Sequence, residues 1–307
     1  MGLHLRYGRA SVSQWRSGTR PRSPVPDLVA EVLSRRLGRT ITPADVGFSG
    51  GELPESSERE DRDAVAQLER LGSSIEDEAY PKHVFNLHDL IVPAWRPTAE
   101  SSAPRYRTQN SSALGNDELE VAEEMLEIFS RTEAIHGASR VAPFIGEYLN
   151  RTIASWLRYP SSTDTRRRLL RTSARLSYLC GFAYFDLEEH GLSQRFYRVS
   201  LLLAEEGDDA WSYAVTLRAM SVQAWHLGHG LPALDLASAA VDTAPRGTEG
   251  ASSAFLHGQL AVAHAGMGDR NKALACLGSA ERCMEVATSR PGTVVYHWAA
   301  LAHQRAV

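Results

Sequence analysis

Beyond residue 116 the apolar positions fall almost everywhere at helical spacing. Leu119, Ala122, Met125, Leu126 and Phe129 make one i, i+3, i+4 stripe, with Asn116 or Asp117 placed to cap it. Phe144, Ile145, Tyr148, Leu149, Ile153 and Trp156 make a second, which ends before Pro160. Few runs alternate with the two-residue period of a strand, so the pattern predicts an all-α fold.

A longer period is superposed on the last third, where similar residues recur every 40 positions. Gly181, Ser221 and Ala261 correspond, as do Tyr184, Ala224 and His264, and Leu187, Leu227 and Met267. So do Ser193, Ala233 and Ala273, and Ser200, Ala240 and Ala280. Small residues recur where two helices must approach closely and large apolar ones where a pair covers its neighbour, which is the design of an α-solenoid of helical hairpins. The stretch AMSVQAWHLGHGLPALDLASAAVDTAP resembles the tetratricopeptide pattern, with Ser221, Ala224, Gly228, Ala233, Ala237, Ala240 and Pro245 at its small and breaker positions. The third unit keeps Ala261, Gly268, Ala273 and Ala280, and the first has Glu188 where glycine is usual. A period of 40 rather than the tetratricopeptide ~34 implies longer turns between units, with HEAT-like pairs as the alternative.

Before residue 49 the pattern predicts three short helices. Val12 and Trp15 mark the inward side of the first, closed by Gly18. Val25, Leu28, Val29, Val32, Leu33 and Leu37 make the apolar stripe of a second, from about Pro26 to Leu37, which Gly38 closes. Thr42-Pro43-Ala44-Asp45 reads as the start of a third. Residues 49–63 are polar and acidic, 64–71 fit a modest helix, 84–95 are apolar enough to dock, and 97–117 form a second polar linker. The expected organisation is a partial helix-turn-helix head over 1–48, a linker region with short helices over 49–116, and a repeat domain over 117–307.

Composition narrows the classes. The 307 residues are 43% hydrophobic and 23% charged, a globular balance. With no apolar run of about 18 residues and no leading apolar segment, a cytoplasmic protein without membrane contact is expected. The net charge of −4 conceals a polarity: residues 1–40 hold eight arginines against Asp27 and Glu31, a net +6, which leaves −10 for the rest. Contact with a polyanion is therefore expected at the head alone. Cys276 and Cys283, seven apart on a helix, are too distant for a disulfide, and with Cys180 they read as small hydrophobes.

The basic head carries the candidate chemistry. A helix entering the major groove needs short or polar side chains in its first turns and phosphate-reaching groups at its end. Arg9, Ser11, Ser13 and Gln14 meet the first need, and Arg16, Arg20 and Arg22 the second. The stretch RASVSQWRSGTRPRSPVPDLVAEVLSRRLGRTITPADVGF resembles the second half of Xre-type helix-turn-helix domains, through Ser11, Val12, Ser13, Trp15, Gly18 and Pro21, then Leu28, Leu33, Leu37 and Gly38. With the body segments SARLSYLCGFAYFDLEEHGLSQRFYRVSLLLAEEGDD and AMSVQAWHLGHGLPALDLASAA, the chain resembles actinobacterial regulators that join such a head to tetratricopeptide-like repeats. These are the NsdA-like negative regulators of antibiotic production and sporulation. The resemblance implies a transcriptional regulator that binds DNA, as a homodimer on paired half-sites. It also implies an N-terminally truncated head, since two helices of an Xre domain precede the recognition helix and only Gly2 to Tyr7 stand there. A protein-interaction adaptor without DNA binding is the alternative.

By resemblance to tetratricopeptide arrays, the first helix of each pair lines a partner groove, here Arg175, Tyr178, Phe182 and Phe185 followed by Arg218, Trp225 and His226. Aromatic residues with two arginines suit a protein or peptide with acidic or apolar side chains. Gly47-Phe48-Ser49-Gly50-Gly51 spells a hydrolase elbow without its strand, and reads as linker. His226 and His229 read as a surface histidine pair rather than a metal site, and Glu123-Glu124 and Glu188-Glu189-His190 as solvated faces. No catalytic residue, metal or cofactor is expected.

Overall fold

Every regular element among the described residues of the computed structural model is a helix; these residues are 7–22, 24–48, 63–76, 84–90, 95–96, 114–248, 250–287 and 298–306. In the head, α1 (Arg9–Arg16) is followed by Gly18 at φ +103° and α2 (Val25–Leu37) by Gly38 at φ +63°, both conformations that favour glycine. The third expected helix is instead a single turn. Thr42 N and Oγ1 donate to Asp45 Oδ2 at 2.8 and 2.9 Å, and Gly47, at φ +76°, ends the turn at once.

The expected stripe of α2 is also rotated in fact. Val25 of that stripe is buried and Leu28, Val29 and Leu33 are half-buried, but Val32 and Leu37 are 61% and 56% exposed, while Ala30, Glu31 and Ser34 are buried. Ser34 explains part of this, since its Oγ donates to the Ala30 carbonyl and accepts from Ile41 N at 2.9 Å, tying the returning chain to that side. Helix α3 (Ala64–Glu76) runs further than its apolar pattern and is capped by Asp63, which accepts from the Val65 and Ala66 amides. A strap over 84–90, with a tight turn at Leu87–Leu90, buries Phe85, Leu87 and Leu90.

Helix α4 (Asn116–His136) begins one residue past Gly115, whose amide donates to Glu118 Oε2 at 2.9 Å. Neither Asn116 nor Asp117 is its cap, because the reach-back of Glu118 already meets that donor. Helix α5 (142–158) widens through Leu149–Ile153 and buries Ile145, Leu149 and Ile153. Phe144, assigned to that stripe by spacing, is 63% exposed because the stripe follows i, i+4, i+8 from Ile145. Arg158 closes α5 onto α3, its Nε donating to Glu69 Oε1 at 2.8 Å.

Three helix pairs follow: α6 (Thr163–Asp186) with α7 (His190–Glu206), α8 (Ala210–His226) with α9 (Gly230–Thr243), and α10 (Gly250–Gly266) with α11 (Arg270–Ala287). First helices end at 186, 226 and 266 and second helices begin at 190, 230 and 270, so the 40-residue period holds at the turns. The extra length over a 34-residue unit lies in the helices and not in the turns, since only residues 207–209 separate the first pair from the second. At the turn position, Glu188, Gly228 and Gly268 all have positive φ, +60°, +85° and +76°.

The recurrent small residues sit at the crossings within pairs. A methyl at Gly181 would come within 2.7 Å of the Tyr197 ring, and Ser221 Oγ donates 2.7 Å to the Ala233 carbonyl of the facing helix. Helices α4, α6, α8 and α10 lie side by side as one layer, with α7, α9 and α11 behind them. Helix α12 (Trp298–Ala306) closes the end, where Leu301 joins Ala254, Ala280 and Met284 in a small separate core. Cys180 is fully buried, with its thiol pushed well up by that burial, while Cys276 and Cys283 are half-buried and unbridged.

Candidate functional site

Three surfaces collect the residues singled out by sequence. The first is α1, which has no buried residue. Arg9, Ser13, Gln14 and Arg16 are exposed, Ser11 is half-exposed, and Arg20 and Arg22 extend the same basic surface beyond Gly18. None of the four arginines has an acidic partner among the described residues, so their charge is available to solvent. Trp15 anchors the helix between Tyr7, at a ring separation of 5.3 Å, and Phe48, at 6.0 Å. Val12, expected to face inward, is 47% exposed, because Trp15 takes the space against Phe48.

The second surface is the expected groove on α6 and α8, which divides into parts. Tyr178 and Phe182 stack at 6.5 Å, and Arg218 on the next helix lies 3.8 Å above the Phe255 ring while its Nε donates to the Phe255 carbonyl. Burial raises the Tyr178 phenol, Arg218 opposes that rise and Glu133 of α4 reinforces it, so these charges face one another. Phe185 and His226 form a separate cluster with His190, each ring pair 5.5–5.6 Å apart. Trp225 is turned against α10, where a methyl at Gly266 would overlap its indole. Arg175 lies 3.7 Å from Asp209, which caps α8 by accepting from Ser212 N.

Both groove arginines therefore have partners within the fold. The carboxyls facing this side, Glu133 and Asp186, are raised above their ordinary values by burial, and Glu133 further by Asp186. The aromatic pair therefore has a mixed setting, in which the Arg218 charge acts on Tyr178 more strongly than Glu133 does.

The third surface was not legible in sequence, and it joins head to body. Glu31 of α2 and His229 of the α8–α9 turn are 6% and 4% exposed, with Glu31 Oε1 2.7 Å from His229 Nε2. A carboxylate only accepts, so Nε2 carries the hydrogen. Arg35 Nε donates to the same oxygen at 2.7 Å, while Glu31 Oε2 is buried without a donor. Phe85 of the strap stacks on His229 at 5.5 Å. The histidine expected at the surface is thus a buried contact of the head.

The strap and α2 are fastened to α7 as well. Gln194 exchanges two hydrogen bonds with the Asn86 backbone, at 2.9 and 2.8 Å, and Arg198 lies 3.0 Å from Asp89. Burial raises the Asp27 carboxyl, against which the nearby Arg195 charge works. Beside this junction opens a cleft of about 880 Å³, bounded by the end of α2, the strap and α9.

Among the described residues no three His, Cys, Asp or Glu side chains are grouped to hold a metal ion, and no helix is long and apolar enough to cross a membrane. Ser49 of the elbow-like spelling lies outside the described residues. A family model described as the SP15 N-terminal domain matches residues 1–49, which is the head with α1 and α2. No curated protein matches the chain, and no solved structure does.

Proposed function

We propose that the protein is a cytoplasmic, non-enzymatic transcriptional regulator that meets DNA through α1 and a protein or peptide partner through the first-helix face of its tetratricopeptide-like body. The observation that carries this reading is α1 itself: a polar helix with no buried residue, flanked by Arg9, Arg16, Arg20 and Arg22, none with an acidic partner among the described residues. Arg9, Ser11, Ser13 and Gln14 would meet base edges and the later arginines phosphates. Binding as a homodimer follows from the paired half-sites such helices read, and the likeness to NsdA-like negative regulators supports repression of secondary metabolism and sporulation.

On the body, the stacked Tyr178 and Phe182 with Arg218 suit a partner with acidic or apolar side chains, and Glu133 and Asp186 add carboxyls beside them. The test is fluorescence anisotropy of a labelled duplex titrated with the chain at several salt concentrations. The expected result is salt-dependent binding, with Arg16→Ala and Arg20→Ala each lowering affinity on all sequences and reducing the salt slope by about one. Absence of any salt-dependent binding removes the regulator reading. A protein-interaction adaptor is the second reading, favoured by the 47% exposure of Val12 on a helix backed only by Tyr7 and Phe48 rings among the described residues.

A further inference from the structure

The cleft beside the Glu31–His229 contact has the size of a small-molecule site, ~300–1,000 Å³, at about 880 Å³. Its walls come from separate parts of the chain: the end of α2, the strap and Trp95, and one face of α9 with the start of α8. Leu87, Leu90, Trp95, Leu217 and Leu236 give it an apolar interior, and Tyr213 meets Trp95 edge-on at 5.1 Å. Sites of this kind, apolar with a few polar groups and placed where two units meet, hold amphipathic ligands.

Two arginines and two aspartates line the cleft. Arg35 stands near the start of α9, which has no side-chain cap, because it shares the Glu31 oxygen with His229, and Arg39, just past Gly38, also lines the cleft. The helix dipole adds to the Arg35 charge there. Asp235 and Asp242 lie along α9, and Asp242 is near the opposite end, eleven residues or about 16 Å from Leu231. Glu31 engages only the Nε of Arg35, and Arg39, whose charge also acts on Asp45, has no hydrogen-bond or salt-bridge partner among the described residues.

We infer that this cleft binds a small amphipathic anion, an acid group held by Arg35 and Arg39 and an aromatic or alkyl body lying along Trp95, Leu217 and Leu236. Because head and body residues both line it, such a ligand bridges the two and favours the docked head by mass action. The inference is independent of DNA binding.

The probes are 8-anilinonaphthalene-1-sulfonate and its uncharged analogue N-phenyl-1-naphthylamine, each titrated by fluorescence into the full chain, with circular dichroism confirming that every variant is folded. Saturable binding of the sulfonate is expected, weakened at least fivefold by Arg39→Ala while the uncharged analogue binds the variant as it binds the wild type. Ala239→Trp, which fills the cleft from α9, should abolish binding of both; if it unfolds the chain, Leu231→Trp at the exposed rim takes its place. Sulfonate binding that survives the filling variant, or that Arg39→Ala leaves unchanged, overturns the inference, as does failure of the wild type to bind.

Discussion

The contact between head and body and the contacts between repeats bury side chains of opposite character. Within the repeats, Gly181 on Tyr197 and Gly266 on Trp225 let helices close to contact distance, and Tyr184 stacks on Phe196 at 5.6 Å. At the head, a carboxylate, an imidazole and a guanidinium meet around one oxygen, and the second oxygen of Glu31 stays unmatched. Apolar close packing is stabilising wherever it forms, whereas a buried charge is tolerated only while its partners hold it. The apolar crossings thus hold the body by themselves, whereas the head contact depends on each of its polar partners.

The sharpest break in that contrast is Tyr197→Ala. Tyr197 is 1% exposed at the α6–α7 crossing, and removing a buried aromatic ring costs about 3–5 kcal/mol. Urea unfolding followed by circular dichroism should show a single earlier transition with both pairs lost together. Two separate transitions would mean that the repeats do not share a core, and a normal midpoint that Tyr197 is not buried at the crossing.

Next in size is His229→Ala, which leaves the Glu31 carboxylate buried with Arg35 as its one remaining partner among the described residues. Breaking a buried pair from one side costs about 3 kcal/mol or more, but here α2 can lift off and rehydrate the charge. Hydrogen exchange should therefore accelerate in α2 and the 84–90 strap while the α6–α9 amides stay protected. Replacing both partners, with Glu31→Leu and His229→Leu together, should restore much of the protection. Exchange in α2 and the strap that His229→Ala leaves unchanged would show that the Glu31–His229 contact does not hold the head.

The same comparison explains what could be read without a structure. The all-α class was legible because apolar spacing is local, and the 40-residue recurrence because Gly181, Ser221 and Ala261 occupy equivalent crossings. The head–body contact was hidden because Glu31 and His229 lie 198 residues apart and neither carries a local signal of burial. A carboxylate between Ala30 and Val32 reads as solvent-facing until a partner is known. That error also rotated the expected stripe of α2: Val25 is buried and Leu28, Val29 and Leu33 are half-buried as expected, but Val32 and Leu37 face water while Ala30, Glu31 and Ser34 are buried. The groove was half legible: the first helices do share a face, but spacing could not tell that Arg218 rests on Phe255 or that Trp225 belongs to Gly266.

The rotated face makes a third, smaller prediction. Val32→Ser and Leu37→Ser remove apolar groups that are already mostly in water, so each should shift stability by no more than about 0.5 kcal/mol. A loss of 2 kcal/mol or more in urea titration would show that these residues are covered in solution, and the orientation of α2 would then be that of the sequence stripe.

The smallest effect is identified by its sign. Burial lowers the His190 pKa below its ordinary value, His226 and Arg35 lower it further, and Glu188 opposes them. A histidine depressed in the folded state contributes stability that is present above its unfolded pKa, ~6.5, and is lost as pH falls through the lower folded value. Acidification from pH 7 should therefore weaken the Phe185–His190–His226 cluster, because the imidazolium must form beside another histidine and with Nδ1 lacking a partner. His190→Gln should flatten that part of the pH dependence of the melting temperature. Since Arg35 adds to the depression and is itself held by Glu31, undocking the head in His229→Ala should move the midpoint of this transition to higher pH; an unmoved midpoint would separate the cluster from the junction.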